Sequence, residues 1–421
     1  MKNNWQKIIL SKVAVFESGK RMLGGRQKNG DVLSIGGEHI SIDGSLDLSS
    51  KNYLSLDFYH KLKNGKIFDN DILMVKDGAT TGKTIFLKKL PTKFLAVNEH
   101  VFIIRSKNED LLNQYLYYCL ISREGVAKIK LQKHGLIGGI NKRNLDSIEI
   151  LYPPKPTQLK IVKVLDSIRA EIGQQKEIIK KIKELKKSLM KKLFSQGTRG
   201  EKLKETKIGK VPVSWGVDRI ENTEIKIIDG DRGFNYPQNN DFLKNGYCLF
   251  LNTKNVLEDK FNFSETQFIT KEKDEKLRKG KLKRDDIVLT TRGTVGNIAY
   301  YSNNITYRVI RINSGMVVLR NEDNKIDTKF LFNYFRSQVF QLQSTGNSSG
   351  SAQPQLPIGV FKKFYILIPS INEQKEIALI LEKVDAKIES AQRQKKLYEE
   401  LFNNSLNKLM TQEIDIEKVN F

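Results

Sequence analysis

The sequence predicts an α+β protein in which two globular mixed α/β domains are separated by two long coiled-coil helices, arranged as an internal, pseudo-two-fold repeat. Three observations predict it. The chain of 421 residues resembles itself at a period of about 215. Two stretches carry apolar residues at coiled-coil spacing. The segments between them carry short runs rich in β-branched residues.

The repeat is read most easily at the helix entries. Tyr152-Pro153-Pro154-Lys155-Pro156-Thr157-Gln158 opens one helical stretch and Ile368-Pro369-Ser370-Ile371-Asn372-Glu373-Gln374 opens the other. The likeness extends upstream. Asp71-Ile72-Leu73 with Gly78 and Gly82 matches Asp286-Ile287-Val288 with Gly293 and Gly296. Asn98 through Arg105 matches Asn313 through Arg320, and Trp5 matches Trp215. The implied order is a globular domain over 1–152, a helix over 153–200, a second globular domain over 201–368 and a second helix over 369–421.

Steps of four and three define each seam. The first runs Ile161, Leu165, Ile168, Ile172, Gln175, Ile179, Ile182, Lys186, Leu189, Leu193. The second runs Ile377, Leu381, Val384, Ile388, Ala391, Lys395, Tyr398, Phe402, Ser405, Leu409. Eight of ten positions are apolar in each. The prolines before each stretch mark a helix start, and Gly197 and Gly200 end the first helix. A single apolar stripe on a charged helix is marginal in water until it packs, so the two stripes are natural partners. Charge agrees. Residues 153–197 carry 12 basic and 4 acidic groups, whereas 369–421 carry 8 basic and 10 acidic. Some 35 helical residues would span roughly 50 Å, more than the 34 Å of one B-DNA turn.

In the globular segments, Asp71–Val75, Val101–Arg105, Ile287–Thr291, Met316–Leu319 and Phe364–Ile368 read as strands. Leu111–Leu120 and Lys329–Phe340 read as short helices.

Lys and Arg outnumber Asp and Glu by 72 to 48, a net charge of +24. Most of this excess lies outside the helical stretches. Such a field attracts polyanions, nucleic acid first among them; lysine-rich usage from an AT-rich genome is the bland alternative. The two cysteines, Cys119 and Cys248, lack metal-ligand spacing and fit a reducing cytoplasm as core thiols. The apolar stretch Ile8–Phe16 is split by Lys12 and is not read as a signal peptide. No run approaches the roughly 20 apolar residues of a membrane helix, so no membrane association and a cytoplasmic location are expected.

Gly78-Ala79-Thr80-Thr81-Gly82-Lys83-Thr84 imitates a phosphate-binding loop but has three residues between its glycines where that loop has four, and Gly293-Thr294-Val295-Gly296-Asn297 has no lysine. Both are read as tight turns needing positive φ, from which Lys83 and Arg292 could offer charge to a phosphate. Lys133-His134-Gly135-Leu136-Ile137-Gly138-Gly139-Ile140-Asn141-Lys142-Arg143-Asn144 and Thr345-Gly346-Asn347-Ser348-Ser349-Gly350-Ser351-Ala352-Gln353-Pro354-Gln355 are Gly-rich, polar and equivalently placed before a last strand. Lys133, His134, Asn141, Lys142, Arg143, Asn347, Ser348, Ser349, Gln353 and Gln355 are therefore candidate DNA contacts, since such side chains read base edges and phosphates. Arg232 and Asn235, in Arg232-Gly233-Phe234-Asn235-Tyr236, are further candidates through basic-aromatic interleaving. The four histidines, His39, His60, His100 and His134, form no metal or triad spacing. Asp415-Ile416-Glu417-Lys418 has a nuclease-like cadence but is expected to be a frayed polar tail. No methyltransferase motif or glycine-rich cofactor loop is present, so the chain reads as a binder without catalytic, metal or cofactor residues of its own.

The repeat, the two Pro-rich entries with Gln158 and Gln374, and Ile208-Gly209-Lys210-Val211-Pro212-Val213-Ser214-Trp215 resemble the specificity subunits of Type I restriction-modification systems. The likeness covers essentially the whole chain. Thr157 departs from it, standing where an acidic residue is usual; Glu373 fits. The resemblance implies two target-recognition domains, each binding half of a bipartite, asymmetric site on double-stranded DNA. It implies that the helices pair antiparallel, set the spacing and dock two modification (methyltransferase) subunits, and that motor-nuclease restriction subunits join them. S-adenosylmethionine, ATP and Mg would belong to those partners. The alternatives are a stand-alone coiled-coil DNA-binding scaffold or regulator without a methyltransferase, and a nuclease or remnant ATPase active as a lone chain.

Overall fold

The computed structural model describes residues 5–418, except 23–24, 26, 42–43, 134–137 and 346–354. The chain forms two compact units. One comprises Met1–Glu177 with Gln392–Phe421, the other Ile178–Ala391. The first long helix, Lys155–Gln196, and the second, Ile371–Met410, each contribute to both.

In the first unit a four-stranded antiparallel sheet runs in the order Ala14–Ser18, Val101–Ser106, Asp71–Val75, Thr84–Leu87. A three-stranded sheet runs Tyr53–Leu54, Val32–Ile35, Leu95–Val97, its last pair parallel. The strand at Asp71–Val75 is buried along its whole length because both its faces are covered. Leu73 and Val75 face the core shared with Leu33, Ile35 and Val97. Ile72 and Met74 face the helical side, with Tyr115, Leu116, Ile161 and Leu165. A period of two thus serves two cores. Gln6–Ile9 pairs with Glu149–Tyr152 and leads into the long helix.

The second unit repeats this topology. Its four-stranded sheet runs Ile225–Asp229, Met316–Asn321, Ile287–Thr290, Ile298–Tyr300, and its three-stranded sheet Phe268–Ile269, Cys248–Leu251, Ile310–Ile312. Gly216–Arg219 pairs with Tyr365–Ile368. The hairpin Leu203–Thr206/Gly209–Pro212 has no counterpart among the described residues of the first unit.

Within each unit the two long helices run antiparallel. In the first, Thr157 donates to Glu417 at 2.8 Å, while Arg169, further along, lies over the Phe402 ring at 5.7 Å. In the second, Lys186 pairs with Asp385, while Thr198 donates its N–H to Glu373 at 2.8 Å. Ile161, Leu165, Ile377 and Leu381 are completely buried, and Ile168, Ile172, Ile179, Ile182, Val384, Tyr398 and Phe402 are half-buried; Ile388 is buried. Each fully buried leucine contributes about 1.5–3 kcal/mol. The polar breaks Gln175 and Lys186 are themselves buried, and Lys186 shares Asp385 with Arg336.

The entry glutamines act as matched clamps. Gln158 accepts from Leu112 N–H at 2.9 Å and donates to the Asp110 and Pro153 carbonyls. Gln374 accepts from Asp327 N–H at 2.7 Å and donates to the Lys325 and Pro369 carbonyls. Arg105 forks onto Asp71 at 2.6 and 2.7 Å, and Arg320 onto Asp286 at 2.9 and 2.7 Å.

Two expectations need correcting. The helix expected over Lys329–Phe340 is two, Thr328–Phe335 and Gln338–Thr345, because Ser337 turns the chain between them. The segment Asp415–Lys418 is not frayed: Ile416 is buried, and Glu417 accepts from Thr157 and Lys160. Thr157 therefore meets a carboxylate after all, supplied by Glu417. In the second unit Glu373 is that carboxylate on the entry itself and accepts from Trp215 Nε1 at 3.0 Å. Gly197, at φ +64°, ends the first helix where a Cβ would meet Glu373 and Trp215 at 2.5 and 2.9 Å, so only glycine fits.

Candidate nucleic-acid interface

In the second unit five segments converge at one end of the sheets. They are the loop after Asp229, the turn Thr253–Asn255, the glycine turn 291–297, the turn 313–315, and Gln355. Thr291 N–H and Arg292 N–H donate to the Gly315 carbonyl, and Asn297 Nδ2 donates to the Val256 carbonyl at 2.9 Å. Arg232 donates to the Ser314 carbonyl, and Arg292 bridges to Gln355. Leu356 N–H donates to the Thr291 carbonyl, which brings the end of the Gly-rich segment against the glycine turn. Arg232, Lys254 and Arg292 are exposed here. Gly293 and Gly296 have φ of +73° and +95°, as the tight-turn reading requires.

The first unit builds the same end from the loop after Ser18, the turn Gly37–His39, the glycine turn 76–83, residues 98–100, and 138–140. Ile140 N–H donates to the Lys76 carbonyl, matching Leu356 with Thr291, and Lys76 N–H donates to His100 O. Its chemistry is different. His100 Nδ1 meets Asp77 at 2.5 Å, with Glu99 at 3.5 Å from Nε2, and Glu38, exposed on the turn Gly37–His39, accepts from Asn52 Nδ2 at 3.2 Å.

The candidate residues fall as follows. Arg292 and Gln355 lie together in the second unit, with Arg232 on the adjoining loop, ion-paired to Asp229 at 3.2 Å. Asn235 is exposed and weakly tied to the Lys276 carbonyl at 3.5 Å. Lys83 and Lys133 are half-buried in the first unit. Lys83 and Arg292 are not counterparts: strand register places Asn297 opposite Lys83 and Asp77 opposite Arg292. Lys142 and Arg143 are exposed on the short helix Lys142–Asp146. Asn141 caps that helix, accepting from Asn144 N–H at 3.0 Å. His134, Asn347, Ser348, Ser349 and Gln353 lie outside the described residues. Sequence reasoning missed Lys254, Arg278 and Lys279. Extending the repeat through the three-stranded sheet would have exposed Lys254 as the counterpart of Glu38.

Both cysteines are free and buried, and burial pushes each thiol up to about 12. Among the described residues no group of three or more His, Cys, Asp or Glu could hold a metal, and no helix is long and apolar enough to cross a membrane.

Two units of the same topology, each packed on stretches of both long helices and each presenting a loop-built end, define an internally repeated α+β protein. Residues 2–184 and 217–399 both match the family described as Type I restriction modification DNA specificity domain, and the chain belongs to that family. The Type I restriction enzyme MjaVIII specificity subunit of Methanocaldococcus jannaschii is 29% identical over 369 residues, 86% of this chain and 83% of that protein. The EcoBI specificity subunit of Escherichia coli is 24% identical, over 61% of this chain and 55% of that protein. The crystal structure of a Type I restriction-modification S subunit from M. genitalium shares the fold at TM-score 0.57 and 15% identity, covering 97% of this chain and 96% of that one. A chain from a structure describing complex assembly and conformational transition of the type I system aligns at TM-score 0.59 and 14% identity, over 96% and 97%.

Proposed function

We propose that each compact unit binds one half of a bipartite, asymmetric site on double-stranded DNA, while the paired helices set the gap and dock two modification subunits. The observation that carries this is the duplication of the whole loop-built end, each copy hung from its own Gln-clamped helix entry. A scaffold repeated to this depth, with the end loops varied, is the arrangement expected of two readers with different targets. A helix of 42 residues is about 63 Å long, enough to exceed one B-DNA turn. The net +24 charge supports a polyanion as the partner. Leu185 and Leu401 occupy the same repeat position and are both exposed, 60% and 47%, which suits two equivalent docking points for two partner subunits.

In this proposal the chain is non-catalytic. S-adenosylmethionine, adenine methylation, ATP, Mg and cleavage belong to the modification and motor-nuclease subunits. The test is an exchange of residues 1–150 for those of a relative, followed by sequencing of methylated DNA from a host carrying the system. One half of the methylated motif should change and the other stay. A change in both halves contradicts the modular reading. Full DNA binding without any modification subunit in the purified complex favours a stand-alone scaffold.

A further inference from the structure

Phe234 is an apolar side chain held fully in solvent, 102% exposed, by a backbone that is firmly anchored. Asp231 organises the anchor. It accepts from Gly233 N–H at 2.7 Å, Arg278 N–H at 2.7 Å and Lys279 N–H at 3.3 Å. Burial works against its charge, but these donors prevail and hold the carboxyl below the usual aspartate range. On the other flank Tyr236 donates its N–H to the Gly233 carbonyl at 2.9 Å and sets its ring edge-on to buried Phe250, centroids 5.8 Å apart. At the loop's start, a Cβ on Gly230 would meet the Asn313 carbonyl at 2.2 Å, so the loop sits tightly against the 313–315 turn.

A residue between pinned flanks has little reason to leave a ring in water unless something covers it. The loop and the segment that anchors it carry four exposed cations, Arg232, Lys276, Arg278 and Lys279, against two carboxylates, Asp229 paired with Arg232 and Asp231 held by backbone N–H groups. An exposed apolar ring on a loop with an excess of cations suits a polyanion that also offers apolar faces, which is the chemistry of stacked bases behind phosphates. We propose that Phe234 is a wedge that inserts between adjacent base pairs of the half-site bound by the second unit, while the flanking cations hold the phosphates on either side. The wedge makes specificity depend on how easily that step unstacks, as pyrimidine–purine steps do. The inference rests on the half-site reading above.

The test uses the full chain assembled with its modification subunits, and duplexes carrying the wild-type methylated site. 2-Aminopurine is placed at successive positions of the second unit's half. Wild type should raise the fluorescence at one step. Phe234→Ala should abolish that rise and weaken binding roughly tenfold, the loss of one stacking contact. The slope of log affinity against log salt should stay unchanged, because no phosphate contact is removed. Phe234→Trp should restore both signals. Since the side chain touches no core, the melting temperature of Phe234→Ala should equal wild type. Unchanged affinity and fluorescence in Phe234→Ala would overturn the wedge. So would loss of a modification subunit from the complex, which would make the ring a protein contact. A wild-type complex that binds none of the duplexes refutes the half-site reading as well; wild-type binding that Phe234→Ala leaves intact refutes the wedge alone.

Discussion

The two units share strand order, clamp glutamines and forked Arg–Asp pairs, yet they differ where the scaffold permits variation. Parallel register aligns Val97 with Ile312, hence Ile35 with Leu251 and Glu38 with Lys254. By the same register Asp77 stands opposite Arg292 and Glu99 opposite Ser314. The first unit therefore sets carboxylates and His100 where the second sets Lys254 and Arg292. A second contrast lies at the short helices beside the three-stranded sheets. Tyr59 packs on Phe94 at 5.2 Å in an apolar cluster with Ala96. At the equivalent places the second unit has Asp274 and Arg311, a buried ion pair at 2.5 Å. Arg311 also donates to the carbonyls of Asp274, Leu277 and Lys279, so it shapes the segment that anchors the Phe234 loop. The lesson is that the two copies share what holds each unit to its helices and differ in charge at the loop-built end.

The largest effect should come from breaking the second contrast. Arg311→Met leaves Asp274 buried with only Lys281, and should cost the second unit about 3 kcal/mol in urea unfolding. Asp274→Tyr with Arg311→Ala, which imports the first unit's solution, should recover most of it; no recovery would mean the pair does more than fill space. pH sharpens the point. Burial opposes ionisation of Asp274, but its bonds to Lys281 and Arg311 hold the carboxyl below the ordinary value of 3.8. A depressed aspartate contributes stability that is present above 3.8 and lost as pH falls through the folded-state value. The double variant should lack that acid-side loss.

A smaller and symmetric effect belongs to the clamps. Gln158→Ala and Gln374→Ala each strand one N–H and two carbonyls, and each should cost about 2 kcal/mol by the same unfolding assay. Unequal losses would show that one entry is the weaker graft. The smallest effect concerns charge at the loop-built ends. Arg292→Asp, the first unit's residue, should lower the salt slope of DNA binding by about one phosphate contact; Asp77→Arg should raise it by a similar amount. Slopes that do not move would place the phosphates elsewhere.

Much of the architecture was legible because it is periodic or local. The seams follow heptad spacing, Asp71–Val75 begins and ends where its sequence pattern does, and the glycine turns have the positive φ their spacing requires. What was not legible depends on partners far apart in sequence. Thr157 looked like a defect until Glu417 met it across 260 residues. Lys254 became a candidate only once strand register aligned it with Glu38, and the Asp274–Arg311 pair joins residues whose counterparts are apolar. That Asn141 caps the helix Lys142–Asp146 was not legible either, because capping and base recognition use the same donor and acceptor groups.

The central claim is that two unlike readers on one helical frame bind two unlike half-sites. Sequencing the methylated adenines of a host that carries this chain with its modification subunits tests it most directly. The account predicts one bipartite motif, two different specified halves separated by a gap of fixed length and unspecified sequence. A single uninterrupted motif, or two identical halves, would contradict it.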